Sequence, residues 1–185
     1  HLYNPADGQT TTLHIQIAAD LPYARPYFKR AAHTIRHAGI SPTGVRAVFE
    51  ARGDIFTVPA KKGDIRNLTR TPGVHERFPA WSPDGQQIAY FSDASGEYKL
   101  CIQPQDGTTA TKSYSLPGTG FYAFLRWSPD SKMITFTDNG RNFYLFDMPS
   151  GTAKKIDADE IYFPGAFRNI MGDWSMDSRW LVYTK

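Results

Sequence analysis

The chain has 185 residues, 41% hydrophobic and 21% charged, with a formal net charge of +3. That length suits one domain or a little more, and so small and scattered a charge argues against a nucleic-acid partner. Cys101 is the sole cysteine, which excludes an internal disulfide and a cysteine-based metal site. No apolar run approaches the roughly 20 residues of a membrane span, so no membrane partner is expected. Aromatic residues at 14%, together with 15 Gly and 13 Pro, point to a β-rich protein.

In chain order, "LYNPADGQTTTLHIQI" reads as two strands around an Asp7-Gly8 turn, the last strands of a preceding unit over residues 1–17. The polar start has neither an initiator methionine nor the apolar segment of a signal peptide, and the chain is read as an excerpt of a longer protein. Residues 18–39 hold three prolines and several basic residues without clear periodicity, which predicts a connector.

From residue 40 onward one pattern repeats. "SPTG" at Ser41, "SPDG" at Ser82, "SPDS" at Ser128 and "SMDS" at Ser175 recur every 41–47 residues, preceded by Ile40, Trp81, Trp127 and Trp174. Apolar residues then follow at fixed, alternating offsets: Ala47 and Phe49, Ile88 and Tyr90, Ile134 and Phe136, Leu181 and Tyr183. Such alternation marks the buried face of a strand. A third strand is predicted at "DIFTV" (54–58), "YKLCI" (98–102) and "NFYLF" (142–146), followed by a Gly-bearing turn. A short fourth strand is predicted at "IRNLT" (65–69), at "AKKID" (153–157) and, less clearly, near "TKSYS" (111–115). Four short strands per repeat of this length predict an all-β fold, a partial β-propeller of four-stranded blades. Three full blades start near 40, 81 and 127, and partial blades stand at both ends, the last starting near 174.

The repeated serines invite a catalytic reading, but a nucleophile elbow needs Gly-x-Ser-x-Gly between strand and helix. Here Pro and Gly sit where a tight turn wants them, and Ser and Asp can bond the local backbone. Asp84, Asp130 and Asp177 recur at one position, which again predicts turn hydrogen bonding. The chain is therefore expected to carry no catalytic residue. Trp81, Trp127 and Trp174 are expected to pack within or between blades, whereas Trp180 has no repeated place. Cys101, in an apolar strand, is expected to be buried packing.

The Trp-Ser-Pro-Asp-Gly turn with its following Ile-Ala-Tyr strand resembles the propeller repeats of TolB and of tricorn-type proteases. The stretch from Ile40 to Asp93, "ISPTGVRAVFEARGDIFTVPAKKGDIRNLTRTPGVHERFPAWSPDGQQIAYFSD", is similar to the start of the second propeller of tricorn-type proteases, and residues 25–39 resemble the entry into it. The resemblance implies a noncatalytic propeller segment that shapes or gates peptide access in an oligopeptide-degrading serine protease. The peptidase and a PDZ-like module would lie further along the parent chain. Peptides and the rest of that parent are the implied partners, with a cytoplasmic location. Two alternatives stay open. One is a TolB-like periplasmic propeller acting as a protein-interaction scaffold, and the other is the gating propeller of a prolyl-oligopeptidase-type enzyme.

His75, Arg77 and Arg126 are the candidate channel residues. They lie on or beside segments that should form innermost strands, where alternate side chains face the central channel, and guanidinium groups suit a peptide carboxylate. Solvated or inter-blade ion pairs are the bland alternative. His33 and His37 stand four residues apart, but with no His-Glu-x-x-His and no acidic neighbour they predict no metal site, and no cofactor is expected. "RTPGVHER" lacks the spacing of a phosphate-binding loop. A seven-bladed ring needs about 280–315 residues, so open blade edges are expected at both ends. Either the terminal strands close a four-bladed ring or, preferably, chains self-associate through those edges.

Overall fold

Why four copies of one turn should build one architecture is visible in the computed structural model, which describes residues 1–25, 27–118, 120–159 and 170–184. Residues 1–30 and 31–185 form two separate units. In the first, β1 (Leu2–Tyr3) pairs antiparallel with β2 (Thr10–Thr11). The turn between them is fixed by Asp7, whose carboxylate accepts from the Gln9 N–H at 2.9 Å. The alternating "LHIQI" at 13–17 forms no strand, and its apolar side chains are exposed.

The second unit holds three four-stranded antiparallel meanders and a two-stranded start of a fourth. Blade one comprises β3 (Ile35–Ile40), β4 (Arg46–Ala51), β5 (Asp54–Pro59) and β6 (Arg66–Asn67). Blade two comprises β7 (Glu76–Trp81), β8 (Gln87–Ser92), β9 (Lys99–Pro104) and β10 (Lys112–Tyr114). Blade three comprises β11 (Tyr122–Trp127), β12 (Met133–Asp138), β13 (Asn142–Asp147) and β14 (Thr152–Ala158). The fourth begins with β15 (Met171–Trp174) and β16 (Leu181–Thr184). The less clear fourth strand of blade two is present as β10. Residues 35–39, placed in the connector by sequence, belong to β3. Its "IRHAGI" is too polar to announce a strand, because Arg36 and His37 do not face the apolar core.

Three of the four turns close by the same hydrogen bonds, and the first, with Thr43 in place of the aspartate, keeps of these only the Arg46 N–H to Ser41 Oγ bond at 3.1 Å. Ser128 Oγ donates to Asp130 Oδ1 at 2.6 Å and accepts from Met133 N at 2.9 Å, and the Lys132 N–H reaches the same carboxylate. Ser82 with Asp84, and Ser175 with Asp177, repeat the arrangement. The Ser128 hydroxyl holds the Asp130 carboxyl below the usual carboxylate range, and Ser175 does the same for Asp177. The residue three after each serine is left-handed: Gly44, Gly85, Ser131 and Ser178, with φ between 60° and 72°. Serine in that conformation costs about 1–2 kcal/mol that glycine does not. The hydroxyls offset it: Ser131 Oγ accepts from Asp84 N of the preceding blade at 3.3 Å, and Ser178 Oγ from Asp130 N at 2.9 Å. The departure from Gly thus ties each turn to its neighbour.

The core lies between blades. Ile88 and Tyr90 on one face of β8 pack with Val48, Ile55 and Cys101, while Ala89 and Phe91 on the other face join Leu125, Trp127, Ile134 and Phe136. A middle blade is buried on both faces, so its second strand reads as a continuous apolar run rather than strict alternation. Trp127 is 8% exposed and its Nε1 donates to Ala80 O of the preceding blade at 3.2 Å. Trp81 and Trp174 are half-buried, and Trp180 is 68% exposed. Cys101 is buried, which pushes its thiol above the ordinary value.

Candidate functional site

β3, β7, β11 and β15 are the first strands of their sheets, and β7 and β11 carry irregularities at matching places. The register of β7 against β8 shifts between Arg77 and Ala80, and that of β11 against β12 between Ala123 and Arg126. Within these bulges Phe78 and Phe124 adopt φ of 54° and 59°. A left-handed phenylalanine is strained by about 1–3 kcal/mol, and bulges re-aim side chains near functional sites. Both residues stand three positions before the repeat tryptophan. His37 and Met171 occupy that position in the flanking repeats, and β3 bulges between Ile35 and His37. The rings of His37 and Phe78 lie 4.1 Å apart and those of Phe78 and Phe124 5.7 Å apart. Together with Arg126 and Gly172 they line a cleft of about 200 Å³.

Arg126 faces this cleft, and its guanidinium pairs with Asp173 on the neighbouring inner strand. Arg77 is placed differently. It is 22% exposed, its guanidinium sits 5.1 Å over the Phe78 ring, and its Nε lies 4.0 Å from Glu50 Oε1. His75 precedes β7 at the rim, where its N–H donates to Asp93 at 2.7 Å and its Nδ1 lies 2.9 Å from the Tyr98 hydroxyl. It separates two rim clefts of about 270 and 530 Å³. The three candidates therefore do not converge. Arg77 sits three residues, about 10 Å along a strand, from Ala80, the repeat counterpart of Arg126; because Arg77 pairs with Phe91 and Ala80 with Ala89, the bulge leaves the two positions on one face but at different heights.

His33 lies in a 3-10 turn (Ala32–Thr34) and His37 in β3, so no helix face joins them. Among the described residues no group of three or more His, Cys, Asp or Glu stands close enough to hold a metal ion. His37 bonds instead to Glu50, Nδ1 to Oε2 at 2.7 Å, and the same oxygen accepts from Phe78 N at 2.9 Å. Neither Glu50 nor the Phe78–Phe124 pair was singled out from sequence. The available signal was the repeat register, in which "RFPAW" and "AFLRW" each place Phe three residues before Trp.

The chain is 24% identical over 185 residues to a tricorn protease homolog of Saccharolobus solfataricus, covering 99% of this chain and 16% of that one. It is 26% identical over 163 residues to tricorn protease homolog 1 of Streptomyces coelicolor, covering 85% and 15%. It thus spans less than a fifth of these relatives. The crystal structure of the tricorn protease superposes with a TM-score of 0.69 at 15% identity, over 98% of this chain and 16% of that one. TolB from Acinetobacter baumannii superposes at 0.60 with 20% identity, over 80% and 37%. Residues 35–185 match the family described as the tricorn protease second beta propeller domain, and the chain belongs to that family.

Proposed function

We propose that this propeller segment is a peptide-guiding wall within a larger tricorn-type serine peptidase, shaping access to a catalytic site carried elsewhere in the parent. The observation that carries this reading is the repeated strained bulge that presents Phe78 and Phe124 to the inner-strand cleft. Strain of this kind clusters at functional sites, and β15 pairs with β16 without such a bulge. The cleft's apolar rings beside a guanidinium suit an extended peptide, which offers side chains and main-chain acceptors together. No step of hydrolysis is assigned to this chain, whose repeated serines are all engaged in turns.

The test uses the full-length peptidase. Phe124→Ala combined with Arg126→Gln should lower kcat/KM for peptides of about ten residues roughly fivefold, about 1 kcal/mol. Tri- and tetrapeptides, which need less guidance, should change less than about twofold. Equal losses at both lengths would refute the guiding role. No loss at either length would favour the scaffold role implied by the TolB likeness.

A further inference from the structure

Glu50 breaks the repeat. Its counterparts nine residues after the turn serines are Phe91, Thr137 and Thr184, none of them charged, and Phe91 packs wholly into the core between blades two and three. Glu50 is equally buried, at 1% exposure, yet carries a carboxylate. Burying a charge costs several kcal/mol unless it is paired and hydrogen-bonded, so an apolar residue would serve the blade seam at least as well. Its Oε2 takes two hydrogen bonds, from the N–H of the strained Phe78 and from His37 Nδ1. Because the carboxylate accepts, Nδ1 carries the hydrogen. The ring is then locked between Glu50 and the Phe78 face, 4.1 Å away, with Nε2 left over.

His37 and Arg126 border the same cleft of about 200 Å³, with Phe78 and Phe124 between them. That volume is below the 300–1,000 Å³ of drug-sized pockets and suits about one residue of a passing chain. The polar capacity of the cleft is one-sided. Neither nearby carboxylate lines it: Glu50 lies behind, accepting through Oε2 from His37 and Phe78, and Asp173, 81% exposed, accepts from Arg126 through Oδ1. Of the five N–H groups of a guanidinium, that of Arg126 gives one to Asp173, the guanidinium's one hydrogen-bond partner among the described residues. What remains on offer is a set of guanidinium donors and one imidazole nitrogen beside two aromatic rings.

We propose that this cleft is a subsite for an extended peptide segment that carries a carboxylate beside an apolar side chain. Arg126 holds the carboxylate, Phe78 and Phe124 take the apolar group, and His37 Nε2 accepts a main-chain N–H. Glu50 is a positioning residue acting through His37. The proposal rests on the peptide-guiding reading and adds a charge preference to it.

The test is direct binding to this chain, followed by NMR on the 15N-labelled protein. The probes are octapeptides on an Ala/Gly framework with a central Phe-Asp, Phe-Asn or Phe-Lys. The Phe-Asp peptide should bind at least tenfold tighter than Phe-Lys, with shifts centred on His37, Phe78, Phe124 and Arg126. Arg126 is exposed, so Arg126→Gln should fold and should erase the difference between Asp and Lys. The pair His37→Phe and Glu50→Phe rebuilds the seam with residues found at the same positions of blade two. It should keep the thermal midpoint and the Asp preference while weakening all three peptides about fivefold. The His37 ring nitrogens give a further readout: Nδ1 should carry the hydrogen in the unsubstituted chain. Equal affinity for the three peptides, a preference that survives Arg126→Gln, or no binding would overturn the proposal. Length-dependent cleavage by the parent enzyme without charge preference would overturn it while leaving the guiding role intact.

Discussion

Replacing Trp127 by Ala should destabilise the chain far more than the same change at Trp180, because only the first side chain joins two blades. Trp127 is 8% exposed in the cluster of Leu125, Ile134, Phe136 and Ala89, and its Nε1 donates to Ala80 O across the blade seam. Truncating a buried Trp costs about 3–5 kcal/mol, and part of that is the lost hydrogen bond at about 0.5–1.5 kcal/mol. For a chain of this size the midpoint should fall by about 6–20 °C. Trp180, 68% exposed, should stay within about 0.5 kcal/mol of the parent. Trp81 and Trp174 are half-buried and their Nε1 atoms have no hydrogen-bond partner among the described residues, so they should fall between these limits. Trp127→Phe separates the terms, since it keeps most of the packing and should cost about 1 kcal/mol for the bond. Urea and thermal unfolding followed by circular dichroism measure all five variants. A Trp180 variant as unstable as Trp127→Ala would refute the assignment of the repeat tryptophan to the seam.

Two further outcomes follow from named groups. Glu76 is buried, and that burial raises its carboxyl above the ordinary value of 4.5 despite the Thr71 hydroxyl at 2.5 Å. A folded value above the unfolded one means stability is highest below about 4.5 and is lost as pH rises toward the folded value. Glu76→Gln should therefore gain on the parent between pH 4 and pH 8 in urea midpoints, and a pH-independent difference would refute this. Ser128 is fully buried, and Ser128→Ala leaves the Met133 N–H without its side-chain acceptor, at about 1–3 kcal/mol. In the full-length enzyme it should leave peptide turnover per folded molecule unchanged, and a loss would revive the serine as a nucleophile.

The blades were legible because their turns demand particular chemistry. A serine that caps five residues ahead, an aspartate that caps two ahead and a left-handed fourth residue leave few sequence choices, so the copies stay recognisable. The third strands were legible for the same reason as any core strand, with "DIFTV" and "NFYLF" lying within β5 and β13. The wall was less legible. Strand alternation made Arg77 a channel candidate, and the bulge, with Phe78 and Pro79 opposite Tyr90 alone, shifts that alternation by one residue beyond it. A bulge arises from backbone pairing and leaves no composition mark. The pairing of His37 with Glu50 spans a hairpin and joins two polar residues whose counterparts in blade two are Phe78 and Phe91. Only superposing the repeats would have shown them as departures.

That contrast says where function is to be sought in a repeat architecture. A residue that recurs in every blade is retained by what every blade shares, which is a turn to close and a neighbour to pack against. Ser82, Ser128 and Ser175 make the same hydrogen bonds, so a chemical role for one would have to explain the other two. A peptide moving along a wall meets the blades one at a time, and discrimination requires that they differ. Among the positions that differ on the inner strands are His37 against Phe78 and Phe124, and Arg126 against Gly39, Ala80 and Asp173. Each adds a polar group where another blade supplies a ring or a small residue, and Glu50 is buried at an energetic cost behind the first. On the proposed guiding role, those departures, rather than the conspicuous serines and tryptophans, are what would let the wall discriminate.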